Sequence, residues 1–415
     1  MTDPKSRADA PAFAIGFREF VALIASLMAI NALGIDSMLP ALPAMGHALG
    51  ITDENQRQWI IAAYMFGFGS SQLVYGPLAD RYGRKAILTV SLSLFALMSL
   101  ACAFAWDFET IIIARVLQGV AAAASRVLAI SIVRDRYSGR QMARVMSLSF
   151  IVFLAVPILA PSIGQIIMLF TPWWGIFLLL AVFATSVVAW ALLRLPETLH
   201  PEDRRPIDAA DLWGAIRMVL GQRFSLGYTI ASTLLFGSLL GFINSVQQIF
   251  TDIFHAANLF TTIFACIAAF MGIASYTNSR IVEKLGTRVV SHSAVIGFTL
   301  VSGLHVAVIL AGHESIWSFS IFQALTMGCF GLAGSNFGSM AMEPVGHIAG
   351  TASSIQGFIS TIGGAAIGIV IGQNFDGTTL PVAFGYFALG LAAILVVLVT
   401  EKGRLFRPHH AVAAA

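Results

Sequence analysis

Three ionisable residues lie inside long apolar stretches of the sequence, where solvation by water does not explain them. Asp36 lies in "NALGIDSMLP", Arg115 begins "RVLQG", and Arg126 follows eleven residues later. Ionisable groups in an apolar environment are costly and mark functional positions. Burial favours the neutral form of an acid, whereas a nearby guanidinium favours the carboxylate. A carboxyl group under both influences can bind and release a proton, so we expect Asp36 and Arg115 to form one electrostatic site for proton coupling.

Asp36 also has a simpler interpretation as a solvated acid. Pro40 and Pro43 follow it closely, and a chain that left the apolar layer there would place the carboxyl group in water. The cost of an unpartnered acid in a membrane favours the functional interpretation.

Arg126 shares a helix face with Arg115. Eleven residues correspond to about three helical turns, or roughly 16 Å along the axis. Gly119 and Ala122 lie between the two arginines on that face, so we expect room for a cavity lined by Arg126. Two arginines against one acid suit an anionic, zwitterionic or strongly polar neutral ligand. The simpler alternative is an arginine that extends its side chain to the aqueous interface.

Uncharged polar residues on apolar segments are further candidates for the substrate cavity. Hydrogen bonds between helices explain such residues equally well. The candidates are Gln118, Asn31, Asn244, Gln247 and Gln323.

The elements that must position these residues are membrane-spanning helices. The 415 residues are 57% hydrophobic and 11% charged, against about 25% charged residues in a soluble domain. A helix needs about 20 apolar residues to cross a bilayer. Twelve segments meet this requirement and predict an all-α polytopic membrane protein: 17–39, 58–79, 85–105, 109–133, 142–168, 173–194, 223–247, 256–279, 288–311, 316–340, 350–373 and 381–400. Cys102, Cys266 and Cys329 are isolated and predict neither a disulfide framework nor a metal site.

A polar stretch in the middle of the chain divides the twelve spans six and six. We expect an N-terminal six-helix half (1–195), a central loop (196–222) and a C-terminal six-helix half (223–415). "ADRYGRK" (79–85) and "VEKLGTR" (282–288) share one pattern and lie 203 residues apart. A parallel repeat of two six-helix bundles is typical of transporters.

The distribution of cations predicts the orientation. The chain has 24 Lys and Arg residues, and all except Arg57, Arg115 and Arg126 lie near the chain ends or in loops that follow even-numbered spans. Cytoplasmic loops are enriched in Lys and Arg. We therefore expect both termini and the central loop on the cytoplasmic side.

The stretch "GPLADRYGRK" (76–85) resembles the signature of the major facilitator superfamily between spans 2 and 3. Other stretches extend the resemblance to the twelve-helix drug/proton antiporters, most closely the bicyclomycin/chloramphenicol resistance (Bcr/CflA) group: "RVLQG" (115–119), "SIVRDRY" (131–137), "LPETL" (195–199) and "GTASSIQG" (350–357). The resemblance covers the chain from Phe17 to Thr400. It implies alternating access around a central cavity lined by spans 1, 4, 7 and 10.

The resemblance also implies that the signature is a gating motif that latches one state. Asp80 would pair with a nearby arginine or cap the helix that begins near Gly350. The simpler alternative makes the cations ordinary positive-inside anchors. The motif residues are Gly76, Asp80, Arg81, Gly83, Arg84 and Lys85.

Span 5 departs from the antiporter pattern. Antiporters of the superfamily carry Gly-Pro, two residues, then Gly-Gly, whereas this chain has "VPILAPSIGQ" (156–165), with Ala160 and Gln165 in place of glycines. Pro157 and Pro161 can still bend the helix. This departure bears on the direction of transport more than on the fold.

The chain predicts a proton-coupled secondary transporter that exports a drug-like or polar small molecule by antiport. The alternative is a proton-coupled carrier of a nucleoside, amino acid or sugar derivative, by export or by uptake. We find no GxxxxGK[ST] loop and no HExxH motif, which disfavours a pump or an enzyme. We expect no cofactor other than the proton gradient and no metal or nucleic acid partner. A monomer in the bilayer of a bacterial inner membrane is the expected form.

Overall fold

The computed structural model describes residues 15–137, 139–199, 202, 204 and 209–406, and its regular elements there are helices. In chain order the α-helices are α1 (Phe17–Asp36), α2 (Leu42–Ala48), α3 (Trp59–Tyr82), α4 (Arg84–Ala103), α5 (Phe108–Arg136), α6 (Gly139–Met168), α7 (Trp174–Arg194), α8 (Ala209–Gly221), α9 (Arg223–Gln248), α10 (Ala257–Leu285), α11 (Thr287–Leu310), α12 (Ile316–Met342), α13 (Ala349–Gln373) and α14 (Leu380–Thr400).

Ten helices in the described residues are long and apolar enough to cross a membrane. The first of them joins α1 and α2 into one segment, Phe17–Ala48. The two predicted spans that do not meet this criterion coincide with α3 and α6. The all-α membrane architecture is therefore confirmed.

The predicted central loop is partly helical. Within residues 196–222, α8 occupies Ala209–Gly221, and residues 200, 201, 203 and 205–208 lie outside the described part of the chain. Ala215 and Val219 of α8 pack with Val345 and Ile355 in a small apolar cluster. The loop prediction missed this helix because its apolar run is too short to span a membrane.

The helices pack in two groups with matching internal contacts. In the N-terminal helices (α1–α7), α4 packs against α5 and α7; in the C-terminal helices (α9–α14), α11 packs against α12 and α14. The groups meet where α3 packs along α13 and α6 along α10. Gly83 has φ +101 between α3 and α4, and Gly286 has φ +84 between α10 and α11. Because positive φ favours glycine, the two repeated motifs break their helices in the same way.

Two ends of the bundle are distinguished below. The cationic end is where α3 meets α4 and α10 meets α11, and it carries Arg81, Lys85 and Lys284. The opposite end is where α4 meets α5 and α11 meets α12.

Two glycines bring α3 and α5 into backbone contact. A Cβ atom on Gly119 would lie 2.0 Å from the carbonyl oxygen of Tyr64, and one on Gly67 would lie 2.0 Å from that of Val116. Ala122 is fully buried on the same helix. Gly119 therefore allows close helix packing, and the expectation that it opens a cavity between the two arginines is wrong.

Substituting Gly119 should separate α3 from α5. We expect Gly119→Ala to lower the free energy of unfolding by about 1–3 kcal/mol, the usual cost of overpacking. Thermal unfolding of the detergent-solubilised protein measures this. Gly272→Ala on α10 is the matched control, since a Cβ there meets no atom within 4 Å. Equal stability of the two variants would contradict the packing argument.

Candidate functional site

A cavity of about 380 Å³ lies between the two groups of helices. It is lined by residues of α5, α9, α12 and α13, and its lining reaches Met342, the last residue of α12, near the cationic end. The lining residues are Arg126, Thr229, Ser232, Phe236, Phe330, Gly334, Gly338, Ala341, Met342, Ser353, Gln356, Gly357, Ser360 and Thr361.

Arg126 is the charged side chain among the described residues of this lining. Its guanidinium makes no hydrogen bond or ion pair with any residue in the described part of the chain. The side chain is accessible at the cavity wall. The placement of Arg126 thus agrees with the cavity interpretation of the sequence, and the guanidinium is available to a solute.

Arg115 holds three helices together and lies away from the cavity. It is fully buried. Its Nε donates to the carbonyl oxygen of Ile60 at 3.0 Å, and its Nη1 donates to that of Gly34 at 3.0 Å and to Gln118 Oε1 at 2.6 Å. The guanidinium carbon lies 4.4 Å from the ring centroid of Tyr64. These contacts join α1, α3 and α5.

Asp36 is the last residue of α1 and is buried, with 5% of its surface exposed. Its position argues against the interpretation as a solvated acid. Oδ1 has no hydrogen-bond partner among the described residues. Among the described residues no ion pair joins Asp36 to Arg115, although the sequence predicts that the two form one electrostatic site. Tyr64 lies close enough to interact electrostatically with both.

The backbone of α6 covers the end of α1 beside Asp36. A Cβ on Gly164 would lie 1.8 Å from the carbonyl oxygen of Ser37, so glycine is required for this approach. Gln165, which departs from the antiporter pattern, accepts a hydrogen bond from Thr261 Oγ1 at 2.8 Å. The departure from glycine thus adds a contact between α6 and α10.

Five residues predicted to line the substrate cavity lie outside it in this conformation. Gln118 binds Arg115 and donates to Ser99 Oγ at 2.7 Å. The other four are Asn31, which accepts from Tyr64; Gln247, which donates to Thr251; Gln323, which donates to Tyr386; and Asn244, which lies in a small recess near Gln58. Polar groups in an apolar surrounding pair with each other, and this explains most of these positions without a ligand.

Hydrogen bonds between the two groups of helices close the opposite end. Gln58 Nε2 donates to Gln248 Oε1 at 3.2 Å and to the carbonyl oxygen of Gly372 at 3.0 Å. Gln248 donates to Asn55 Oδ1 at 3.0 Å, and Gln373 donates to the Asn55 carbonyl oxygen at 2.6 Å. We call Asn55, Gln58, Gln248 and Gln373 the closing cluster.

The gating motif makes its ion pairs within the N-terminal helices. Arg84 Nη2 lies 2.6 Å from Asp80 Oδ1, and Arg84 Nε lies 3.1 Å from Asp135 Oδ2. Glu197 accepts the backbone N–H groups of Arg84 at 2.8 Å and Lys85 at 3.2 Å, which caps α4. A Cβ on Gly83 would lie 2.4 Å from Glu197 Oε2, so this glycine is needed for both the turn and the cap.

The expected cap of α13 by Asp80 is not present. Asp80 pairs with Arg84, the alternative partner, and no side chain caps α13. Gly76 faces α13, with a Cβ position 4.0 Å from Ser354 Oγ, while Arg81 lies over the Tyr82 ring. The motif therefore makes no ion pair with the C-terminal helices among the described residues.

Two carboxylates that contact the gating motif were not predicted from the sequence. Asp135 lies in "SIVRDRY" and Glu197 in "LPETL", both of which are conspicuous stretches after a span. Their positions offered a signal: each acid follows a span and lies next to a cationic loop, and such loops need counter-charges.

The start of α5, which carries both arginines, is defined by a capping residue. Asp107 precedes the helix with extended backbone, and its Oδ1 accepts the N–H of Thr110 at 2.7 Å. The hydrogen bonds from Thr110 hold the pKa of the Asp107 carboxyl below its usual range. The stabilisation is present while the carboxyl is ionised and is lost as the pH falls through the lowered pKa.

Known proteins resemble this chain along most of its length. An uncharacterized MFS-type transporter of Bacillus subtilis, YdgK, is 28% identical over 388 residues, covering 92% of this chain and 95% of that protein. A bicyclomycin resistance protein homolog of Haemophilus influenzae is 27% identical over 380 residues, covering 91% and 94%. The multidrug resistance protein MdtL of a Shewanella species is 28% identical over 376 residues, covering 89% and 92%.

Solved structures share the fold at lower identity. The peptide transporter POT, in complex with sulfate, aligns with a TM-score of 0.75 and 14% identity over 97% of this chain and 98% of that one. The human organic anion transporter MFSD10 aligns with a TM-score of 0.65 and 17% identity over 94% and 100%. Residues 24–368 match the Major Facilitator Superfamily. This chain, with its paired helix groups and the cavity between them, belongs to that family of membrane transporters.

Proposed function

We propose that this protein is a proton-coupled secondary transporter that exports a drug-like or polar small molecule by alternating access. The observation that carries the proposal is the cavity between the two groups of helices, which the closing cluster separates from the opposite end. Alternating access requires such a site between two bundles that rock against each other. The multidrug and bicyclomycin resistance names of relatives near 27% identity support a drug-like substrate.

Asp36 is the proposed proton carrier. A buried carboxyl group without a cation partner is stable as the neutral acid and unstable as the carboxylate. Movement of α1 that brought Asp36 to water or to Arg115 would favour release of the proton. Arg115 would act through the position of α1, because its Nη1 donates to the carbonyl oxygen of Gly34, two residues before Asp36.

The orientation and span count are part of the same proposal. Twelve spans form two six-helix halves, residues 1–195 and 223–415, and the cationic end faces the cytoplasm of a bacterium. The cavity then faces the cytoplasm, and the closing cluster lies on the outer side. The gating motif would latch the outward-open state. Because the cavity here would face the cytoplasm, the latch would be released in this conformation. A monomer carries all of these parts.

Proton flux in proteoliposomes tests the function. An imposed pH gradient is followed with a pH-sensitive dye while phenicols, other antibiotics, nucleosides and amino acids are added singly. Proton release on adding an antibiotic supports drug antiport. A response to a nucleoside or amino acid alone would replace the drug with a metabolite as the cargo. If a compound is transported without any movement of protons, proton coupling is contradicted.

Weakening the closing cluster should open the opposite end. Gln58 bridges both groups of helices, so Gln58→Ala should increase the labelling rate of a thiol introduced by Asn244→Cys at least several-fold. The measurement uses a membrane-impermeant maleimide in a background without Cys102, Cys266 and Cys329. Gln56→Ala, at an exposed position of the same segment, is the control. Equal rates in both variants would contradict a closing role for Gln58.

A further inference from the structure

The charge of Arg126 is uncompensated within the described structure. Its guanidinium faces the cavity with no acid or carbonyl partner. The Arg126 side chain is exposed at the cavity wall, so its charge is open to whatever occupies the cavity. Arg115, which is fully buried, makes three hydrogen bonds through Nε and Nη1 and leaves Nη2 without a partner among the described residues, whereas Arg126 makes none. An anionic solute that entered the cavity would therefore meet a guanidinium that has no counter-charge among the described lining residues.

Hydroxyl groups near Arg126 add donors of the kind that an oxyanion needs. Ser232 on α9 and Ser353 on α13 line the cavity and have no hydrogen bond within the described residues. Ser360 Oγ lies 3.3 Å from Thr233 Oγ1; because Thr233 donates its proton to the carbonyl oxygen of Thr229 at 2.7 Å, Ser360 is the donor in this long contact and can turn its proton to a ligand instead. A guanidinium binds a carboxylate through two parallel hydrogen bonds, and hydroxyl donors can complete the coordination of its oxygens.

The rest of the wall sets the size and the apolar part of the ligand. Phe236, Phe330 and Met342 supply apolar surface on the same cavity lining. The volume of about 380 Å³ is at the small end of the range for ligand pockets, about 300–1,000 Å³. Within the described part of the wall there is no acid that could pair with a cationic drug.

We propose that the cavity takes a small aromatic or aliphatic organic anion, whose carboxylate or similar oxyanion pairs with Arg126 and accepts hydrogen bonds from Ser232, Ser353 and Ser360. This inference rests on the proposed transport function, because it assigns the substrate class of the same cavity. Asp36 is absent from the cavity lining, so the proton and the anion occupy separate sites. Export of an anion and entry of a proton each make the inside more positive. An inside-negative membrane potential therefore accelerates this exchange.

Cysteine labelling tests the charge of the site without a known substrate. A thiol introduced by Ser353→Cys, in a background without the native cysteines, is reacted with the anionic 2-sulfonatoethyl and the cationic 2-trimethylammonioethyl methanethiosulfonates. After normalisation to the rates with 2-mercaptoethanol, we expect the anionic reagent to be favoured about tenfold. Arg126→Gln should reduce this preference at least fivefold, and Arg126→Lys should keep most of it. Arg217→Gln, which removes an exposed cation on α8, should leave it unchanged.

A matched pair of ligands tests the substrate class. Naphthalene-2-carboxylate should slow the reaction of the introduced thiol with N-ethylmaleimide at a concentration at least tenfold lower than naphthalene-2-carboxamide requires, and Arg126→Gln should remove this difference. The proposal would be overturned if the carboxylate protected the thiol no better than the amide does, or if it gave no protection at all. A faster reaction with the cationic reagent would overturn it as well. Neither readout needs transport, so absent proton flux in proteoliposomes would count only against the proposed function.

Discussion

Asp36→Asn is expected to reduce proton-driven transport to the level of empty liposomes while the protein stays folded. The amide has almost the shape of the protonated carboxyl group but cannot release or bind a proton. Because Asp36 is buried and its Oδ1 has no partner among the described residues, the substitution removes no ion pair or Oδ1 hydrogen bond within that part of the chain. The melting temperature should stay within about 1 °C of the parent value, the shift that corresponds to about 1 kcal/mol for a chain of 415 residues.

The measurement separates coupling from binding. Uphill transport and proton flux are recorded under an imposed pH gradient, and substrate exchange is recorded without one. We expect the Asn variant to lose the first and keep the second. Glu109→Gln, which neutralises an exposed acid at the opposite end, is the control and should transport normally. Full uphill transport by the Asp36→Asn variant would remove Asp36 from the mechanism.

Arg115→Met is expected to lower the free energy of unfolding by about 3–5 kcal/mol, the usual cost of removing one partner of a buried charged network. The substitution removes a donor from the carbonyl oxygens of Gly34 and Ile60, and Gln118 loses its partner at 2.6 Å. It also removes the contact of the guanidinium with the Tyr64 ring. Arg115→Lys should cost less than Arg115→Met, because an ammonium group can still donate to part of this set of acceptors.

Unfolding by heat or by sodium dodecyl sulfate measures this loss in the purified protein. The matched control is again Arg217→Gln, since Arg217 is an exposed cation whose guanidinium carbon lies 5.4 Å from the Trp213 ring centroid. Its effect should stay below about 1 kcal/mol. If Arg115→Met unfolds at the same temperature as the parent protein but fails to transport, Arg115 acts in the chemistry of transport and the structural role proposed for it is wrong.

The overall architecture was predictable from the sequence because it depends on local properties. In a chain that is 57% hydrophobic, the long segments with few charges must leave water, and their backbone must then be helical to satisfy its own hydrogen bonds. The break at Gly83 was equally local, since a positive φ favours glycine, and Gly286 has a positive φ at the matching position of the second motif.

The partners of the polar groups were decided by the tertiary structure alone. Arg115 binds carbonyl oxygens of residues 81 and 55 positions away in the sequence, and Glu197 caps a helix 113 positions away. The Gln58–Gln248 contact joins residues 190 positions apart. The distance between crossing helices decides which of these groups meet. Small residues such as Gly119 and Gly164 set that distance, and no periodicity in the sequence encodes their contacts. The sequence by itself thus determined an all-helical membrane transporter and its candidate charges. Helix packing decided that Arg115 binds the carbonyl oxygens of Gly34 and Ile60, that Asp36 Oδ1 has no partner among the described residues, and that Arg126 lines the cavity.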